Sequence, residues 1–329
     1  MTTSERAFED LVAPYRAELH AHCYRMLGSV HDAEDALQEA LVRAWRGLAR
    51  FEGRSSVRAW LYAITTNTAL THIDRRSKRV LPVDLSPGHD VHDEPRWIEP
   101  YPDDLVDGGY AGPAARYERR ESVELAFVVA LQHLPARQRA VLILRDVLGF
   151  SAREAAHTLE ATPVAVNSAL QRARRTIDER LPERSQQAAL RALGDRGVRE
   201  IVDRYMDALD RADVDAVVSL LAEDATWSMP PFPAWYQGIE AITGFLHDGP
   251  MRERWRHLPA HANGQAAVGC YSWDAGAGAY RCHVLDVLTL RDHCIEAITA
   301  FVTPELFAAF GLPAQLPPLG VVAASPTTD

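Results

Sequence analysis

Lysine is nearly absent from this chain: Lys78 is the single one in 329 residues, and arginine carries the remaining basic charge, which points to a GC-rich genome. Cysteine is scarce too. Cys23, Cys270, Cys282 and Cys294 form no C-x-x-C pair and read as reduced thiols of a cytosolic chain. Long hydrophobic runs are missing. The longest, Val123 to Leu134, already holds Glu124, Gln132 and His133, well short of the roughly 20 apolar residues that span a bilayer. The first ten residues are polar and acidic without an apolar signal core, so a cytoplasmic location away from membranes is expected. Net positive charge is lacking as well: the total is −10, which taken whole argues against a nucleic-acid binder.

A hydrophobic fraction of 47% with 24% charged residues is that of a globular protein, and the length implies two or three domains. Divided along the chain, the charge tells a different story from its sum. Residues 1–80 and 122–181 are each +2, whereas 81–121 is −6 and 182–329 is −8. Residues 41–80 alone carry nine basic and two acidic groups. An acidic appendage that competed with DNA for these basic pieces would lose its effect as salt rises.

Residues 81–121 hold six prolines, from Pro82 to Pro113, and the Gly108-Gly109 pair, with no helical or strand period, and read as a linker. Trp97, Ile98 and Tyr101 in the string WIEPYP fit either a docking segment or a poorly ordered one. Before it, three amphipathic helices are expected. Leu11, Val12, Tyr15, Leu19, Cys23, Met26 and Leu27 mark the first, ended by Gly28. Ala33, Ala36, Leu37, Ala40, Leu41, Ala44, Trp45 and Leu48 mark the second, whose other face shows Asp35, Gln38, Glu39, Val42 and Arg46. That face is either solvated or a partner surface. The turn Phe51–Ser56 precedes the third, with Trp60, Leu61, Ile64 and Ile73, ending in Arg75, Arg76, Lys78 and Arg79. Together with Arg54 and Arg58 these arginines either lie against a nucleic-acid strand or complement the helix end.

After the linker, Ser151-Ala-Arg-Glu154 forms a capping box, and Ala161-Thr162-Pro163 supplies a break, a cap and a first-turn proline. The following helix puts Val166, Leu170, Ala173 and Ile177 on one face and Asn167, Ser168, Gln171, Arg172, Arg174 and Arg175 elsewhere. This is the outline of a helix-turn-helix or of an ordinary helical hairpin.

In order, these motifs resemble an extracytoplasmic-function sigma factor, the promoter-recognition subunit of bacterial RNA polymerase. The resemblance covers about residues 5–181. It implies a region-2 domain over 5–80, a linker over 81–121 and a region-4 domain over 122–181, both domains all-α. It also implies core RNA polymerase and promoter DNA as partners. Asp32, Asp35, Gln38, Glu39, Arg43 and Trp45 match the family's core-binding helix, which docks on the β′ clamp helices, with contact to the β subunit as well. Arg54, Arg58, Trp60, Tyr62, Asn67, Arg75 and Arg76 fall where the family melts and reads the minus-ten element. Arg153, Thr162, Asn167, Ser168, Gln171, Arg172, Arg174 and Arg175 fall where it reads the minus-thirty-five duplex, with Leu134-Pro135-Ala-Arg137-Gln-Arg139 as the lead-in. Asn167 and Ala169 stand where many relatives carry arginine, and Ala165 where threonine is common. The family's linker threads near the polymerase active centre.

Residues 198–312 read as two helical segments, a short strand at Ala225–Met229, a helix at Ile239–Leu246, then strands at 265–273, 280–290 and 294–303. That is an α+β layout in which a curved antiparallel sheet wraps helices. It resembles the cone-shaped SnoaL-like domain, with "EDATWSMPP…YQGIEAI" carrying the match. Such cones usually enclose a pocket. Trp227, Met229, Trp235, Tyr236, His261, Tyr280 and His283 are candidates to line one and to hold a small-molecule ligand. No acid–base pair stands out, since His283 and Asp286 fall on opposite faces of one strand. Cys282-His283 and His293-Cys294 do not converge into a zinc site; two buried thiols are expected, with no metal and no cofactor. The chain is therefore expected to be an initiation factor, not an enzyme, regulated in cis by its C-terminal domain. The rival readings are a SnoaL-like isomerase or hydrolase fused to a DNA-binding module, and a repressor using only the helix-turn-helix.

Overall fold

The computed structural model describes residues 3–53, 55–74, 79–84, 96–107, 120–182 and 184–318. The chain divides into two compact units, Met1–Gln187 and Ala188–Asp329. Unit 1 is helical and begins with α1 (Thr3–Val12), α2 (Arg16–Leu27), α3 (Val30–Gly47) and α4 (Val57–Asp74). Helices α2, α3 and α4 pack around Leu19, Cys23, Met26, Leu37 and Leu61, all buried. Local chemistry sets the boundaries. Gly28 ends α2 at φ +69°, a left-handed conformation, and a Cβ there would also press on Gln132 at 3.2 Å. The Ser29 hydroxyl then accepts the Asp32 amide at 3.1 Å and caps α3.

The reading of 81–121 as patternless is corrected over its described part. Arg79–Val80 (β1) and Arg96–Trp97 (β2) pair in parallel, and Asp103–Asp107 forms a short helix, α5. Ile98 and Tyr101 are buried. Tyr101 hydrogen-bonds His20 Nδ1 at 2.8 Å and lies on the Tyr24 ring at 4.3 Å, while the Tyr24 hydroxyl donates to the Glu99 carbonyl. The apolar residues of WIEPYP thus find a core on α2, a contact that composition cannot specify.

Unit 1 continues with α6 (Leu125–Gln132), α7 (Ala136–Leu142, running into a π turn at Ile143–Val147), α8 (Ala152–Thr158) and α9 (Pro163–Asp178). The capping box forms as the sequence suggests, with Ser151 and Glu154 each accepting the other's amide. Thr162 caps α9 through the Ala165 amide at 3.1 Å, and Pro163 fills its first turn. A buried polar seam ties α6 and α7 to α2. Arg25 donates to the Ser122 carbonyl and hydroxyl; Arg139 donates to the Met26 carbonyl and, at 2.6 Å, to Gln132 Oε1. Burial lowers the Arg139 guanidinium to about 10.

Helix α10 (Gln186–Asp210) leads into unit 2 and is broken at Gly194, φ +69°. There follow α11 (Val214–Val218), β3 (Leu221–Ser228), β4 (Trp235–Gln237) and α12 (Ile239–Asp248). After them come β5 (Trp255–Ala262), β6 (Gln265–Asp274), β7 (Ala279–Arg291), β8 (Cys294–Phe301) and β9 (Gln315–Leu316). The strand order is β4-β3-β8-β7-β6-β5, with β9 also on β7. The core joins Tyr205, Leu209, Ile242 and Leu246 of the helices to Trp227, Val268, Leu288 and Ile298 of the sheet.

Three expectations change here. The sheet is not wholly antiparallel, because β3 and β8 run parallel. Strand β5 was not legible: Arg256, His257, Pro259 and His261 break its apolar alternation, which an outer strand tolerates. Cys282 and Cys294 are half-buried rather than buried, Cys294 being the first residue after a tight turn and paired with Arg291.

Candidate polymerase and promoter surfaces

Helix α3 buries Ala33, Ala36, Leu37, Ala40, Leu41 and Ala44, so the 3.6-residue period turns Asp35, Gln38, Glu39, Val42 and Arg46 outward together. Val42 is 48% exposed, and Trp45, expected on the buried stripe, is 37% exposed, so the two make an apolar display inside a charged face. Trp45 meets Phe8 of α1 edge-on at 5.3 Å. Gln38 donates to Glu34 at 2.9 Å. Glu39 accepts from His72 at 2.9 Å and pairs with Arg43, which also reaches Thr68. The His72 hydrogen bond, with Arg43 beside it, holds the Glu39 carboxyl below its ordinary range. Asp32 departs from the expected face. It is buried, paired with Arg79 at 2.6 Å and Arg96 at 3.1 Å, and so belongs to the internal bond between α3 and the start of the linker.

On α4, Trp60 stacks on Phe51 at 4.7 Å beside the turn, and Arg58 is half-buried against Glu18 at 3.3 Å. Tyr62, expected on a DNA-reading face, is covered in this structure. It is 0% exposed, edge-on to His22 at 5.2 Å and to Phe150 at 5.4 Å, with the Arg58 guanidinium over its ring at 4.9 Å. Asn67 is exposed, but its amide donates to the Thr158 carbonyl of α8 at 3.3 Å. Helix α8 and Phe150 therefore sit over the middle of α4. Between them runs a groove of about 710 Å³ lined by Phe51, Ser56, Trp60, Arg153, Glu154 and His157 among others. Arg153 thus faces the α4 side of the unit. Arg54, Arg75 and Arg76 lie outside the described residues.

Helix α9 buries Val166, Leu170, Ala173 and Ile177, and Thr162, Asn167, Ser168, Gln171, Arg172 and Arg175 are exposed. Arg174 is exposed too, but its guanidinium forks onto the Asp146 carboxylate at 2.7 and 2.8 Å, an intramolecular pair that removes it from the free face.

Unit 2 holds a small, almost wholly apolar pocket of about 60 Å³, walled by Leu209, Trp227, Met229, Phe245 and Trp255, with His257, Cys270 and Asp286 as its polar members. Of the expected lining, Trp227 and Met229 are present, and Tyr236 stacks on the lining Phe245 at 4.4 Å. Trp235, His261, Tyr280 and His283 do not line it. Trp235 alternates with Tyr236 across the pleat, and His261 and His283 are exposed. A bulge between Cys270 and Tyr271 places Tyr280 against Trp273. Asp286 is buried, accepting from the Tyr205 hydroxyl at 2.9 Å and the Cys270 thiol at 3.4 Å; burial raises its carboxyl despite both donors. Among the described residues no cluster suited to a metal ion occurs.

Comparison with known proteins fits this layout. Family models match at residues 11–79 (Sigma-70 region 2), 124–177 (Sigma-70, region 4) and 202–298 (SnoaL-like domain). The chain is 42% identical over 318 residues to the ECF RNA polymerase sigma factor SigG of Mycobacterium tuberculosis, covering 92% of this chain and 83% of that one. It belongs to the extracytoplasmic-function sigma factors. A second relative, the RNA polymerase sigma-H factor of Pseudomonas aeruginosa, is 31% identical over 181 residues, 54% of this chain and 87% of its own. The crystal structure of M. tuberculosis SigJ shares the fold over 94% of this chain and 99% of its own, with a TM-score of 0.57 and 24% identity.

Within this sigma factor the sequence had pointed to most of the exposed residues of α3 and α9, but not to Phe150, which covers Tyr62, nor to His257 and Cys270 in the pocket. For Asp286 a signal was present: it is a lone carboxylate in the apolar run Val284-Leu-Asp-Val-Leu288. For Phe150 there was none, because its partner is 88 residues earlier in the chain.

Proposed function

We propose that this sigma factor uses residues 5–80 to bind core RNA polymerase and the minus-ten strand, and 122–181 to read the minus-thirty-five duplex. Residues 198–312 adjust its activity in cis. The observation that carries the reading is the outward face of α3, where Asp35, Gln38, Glu39, Val42 and Arg46 form one exposed surface. Its apolar centre and charged margin suit a protein partner, assigned here to the β′ clamp helices, with the β subunit a further contact. The site of action is the cytoplasm, where the polymerase is.

The packing of Phe150 and α8 on α4 supports a closed, unrecruited state. The two promoter elements are named for positions about 25 base pairs apart, roughly 85 Å of duplex at ~3.4 Å per step. Reading both requires α8 to leave α4, so core binding selects an opened form. In unit 2, Asp286 at the edge of an apolar pocket favours a small, mostly apolar ligand over an empty scaffold, and this unit senses rather than transforms it.

Run-off transcription with core enzyme and a promoter pool tests the proposal. Promoter-specific initiation that fails when Gln38 and Val42 are replaced is the expected result. Absence of specific initiation, or core binding indifferent to those replacements, would overturn it.

A further inference from the structure

We propose that Val164 reads the 5-methyl group of a thymine in the minus-thirty-five duplex, making it a specificity-determining residue of α9. The inference rests on the function proposed above for 122–181. Val164 is 75% exposed, the most exposed of the large apolar side chains among the described residues. Its place on the helix is set by the buried stripe. At about 100° per residue the direction opposite Val166, Leu170, Ala173 and Ile177 is occupied by Val164, Ser168, Gln171 and Arg175. Three of these four are polar hydrogen-bonding groups, and the fourth is a bare isopropyl group at the leading end.

Local helix chemistry offers no reason for it. Thr162 and Pro163 already start the helix. The first turn favours an acidic or small polar side chain, and a β-branched residue is a poorer helix former. Val164 is therefore unfavourable for α9 alone and uncovered among the described residues of unit 1. In a helix-turn-helix the first residues of the second helix meet the base edges of the major groove. The thymine methyl is the apolar group a base pair presents there. The polar residues behind Val164 suit the rest of the same edge: Gln171 matches adenine N6 and N7, and Arg175 matches guanine or a phosphate. An acidic residue at 164 would meet the phosphates with like charge.

The test uses the full chain bound to core enzyme on a promoter that it initiates from. Each minus-thirty-five thymine, on either strand, is replaced singly by deoxyuridine, which lacks only the methyl group. At one position the loss should weaken binding about fourfold, the worth of one buried methyl group. With Val164→Ala that position should become indifferent, while the responses elsewhere persist. Alanine is the better helix former, and an unchanged melting temperature verifies the fold. Sequence-selective binding in which both proteins respond alike to every replacement would overturn the inference alone, as would bound elements without thymine. Loss of all sequence selectivity in the unaltered chain would overturn the function proposed for 122–181 and the inference with it.

Discussion

Helices α4 and α9 are both proposed to meet promoter DNA, yet they differ in what covers them. On α4, Tyr62 is sealed under Phe150 and Arg58, and Asn67 is bonded to α8. On α9, Val164, Ser168, Gln171 and Arg175 face outward, with none of the described residues of unit 1 over them. A duplex can therefore meet α9 without rearrangement, whereas a single strand reaches the centre of α4 only after α8 moves. On the proposed assignment this difference orders the events of recognition: the strand that must be melted would be read by the helix that must first be uncovered.

The largest change is expected from Arg139→Ala. It leaves the carbonyls of Met26, Gln132 and Leu134 without their buried donor, a loss of about 2–4 kcal/mol. Thermal denaturation should show a melting temperature lower by roughly 5–10 °C; a drop under about 2 °C would mean that the seam does not hold α7 to α2. Next, Phe150→Ala should uncover Tyr62. Free protein should then bind a single-stranded minus-ten oligonucleotide about five- to thirty-fold more tightly, the effect of 1–2 kcal/mol on a closed–open equilibrium. Unchanged affinity in a fluorescence titration would erase the contrast between the two helices.

A sharper comparison sets Asp32 against Val42 on α3. Val42→Asp should weaken core-polymerase binding about tenfold or more at an unchanged melting temperature. Asp32→Ala should mainly lower the melting temperature, since it strips Arg79 and Arg96 of their shared carboxylate. A competition assay against a reference sigma factor, paired with calorimetry, separates them.

The smallest effect concerns Glu124, whose carboxylate accepts the Gln187 amide at 2.6 Å and the Gln186 amide at 3.1 Å. Burial pushes this carboxyl up to about 7 despite both amides. The folded state therefore holds the proton more tightly than the unfolded chain, whose carboxyl titrates near 4.5. Its stabilising contribution is complete below pH 4.5 and lost as pH rises through 7. Glu124→Gln should flatten the fall in melting temperature between about pH 5 and 7.5; an identical slope would remove Glu124 as its source.

What could be read from residues alone followed how local the physics was. The Ser151–Glu154 box and the Thr162-Pro163 start are complete within four residues, and both form as expected. The buried stripe of α9 follows from spacing. The role of Asp32 does not, because its partners lie 47 and 64 residues away. The burial of Tyr62 was hidden for a related reason: α4 is packed by α2 and α3 and by α8 as well, so an aromatic residue next to arginines also makes an internal contact. In unit 2 the pattern gave the strands of regular alternation and missed β5, where Pro259 and the histidines hide it. The pocket failed most, because pleat and bulge decide which aromatic residues share a face.

Glu99 carries a consequence for how the chain comes off the ribosome. Its carboxylate accepts the Ser29 hydroxyl, the Val30 amide and His31, finishing the first turn of α3 from 70 residues downstream. A nascent chain that has released only its first 80 residues therefore exposes α3, the helix proposed to face polymerase, with its leading turn still unfinished. Closing that long loop is a late, entropically costly step, so this helix matures only once the linker has been made.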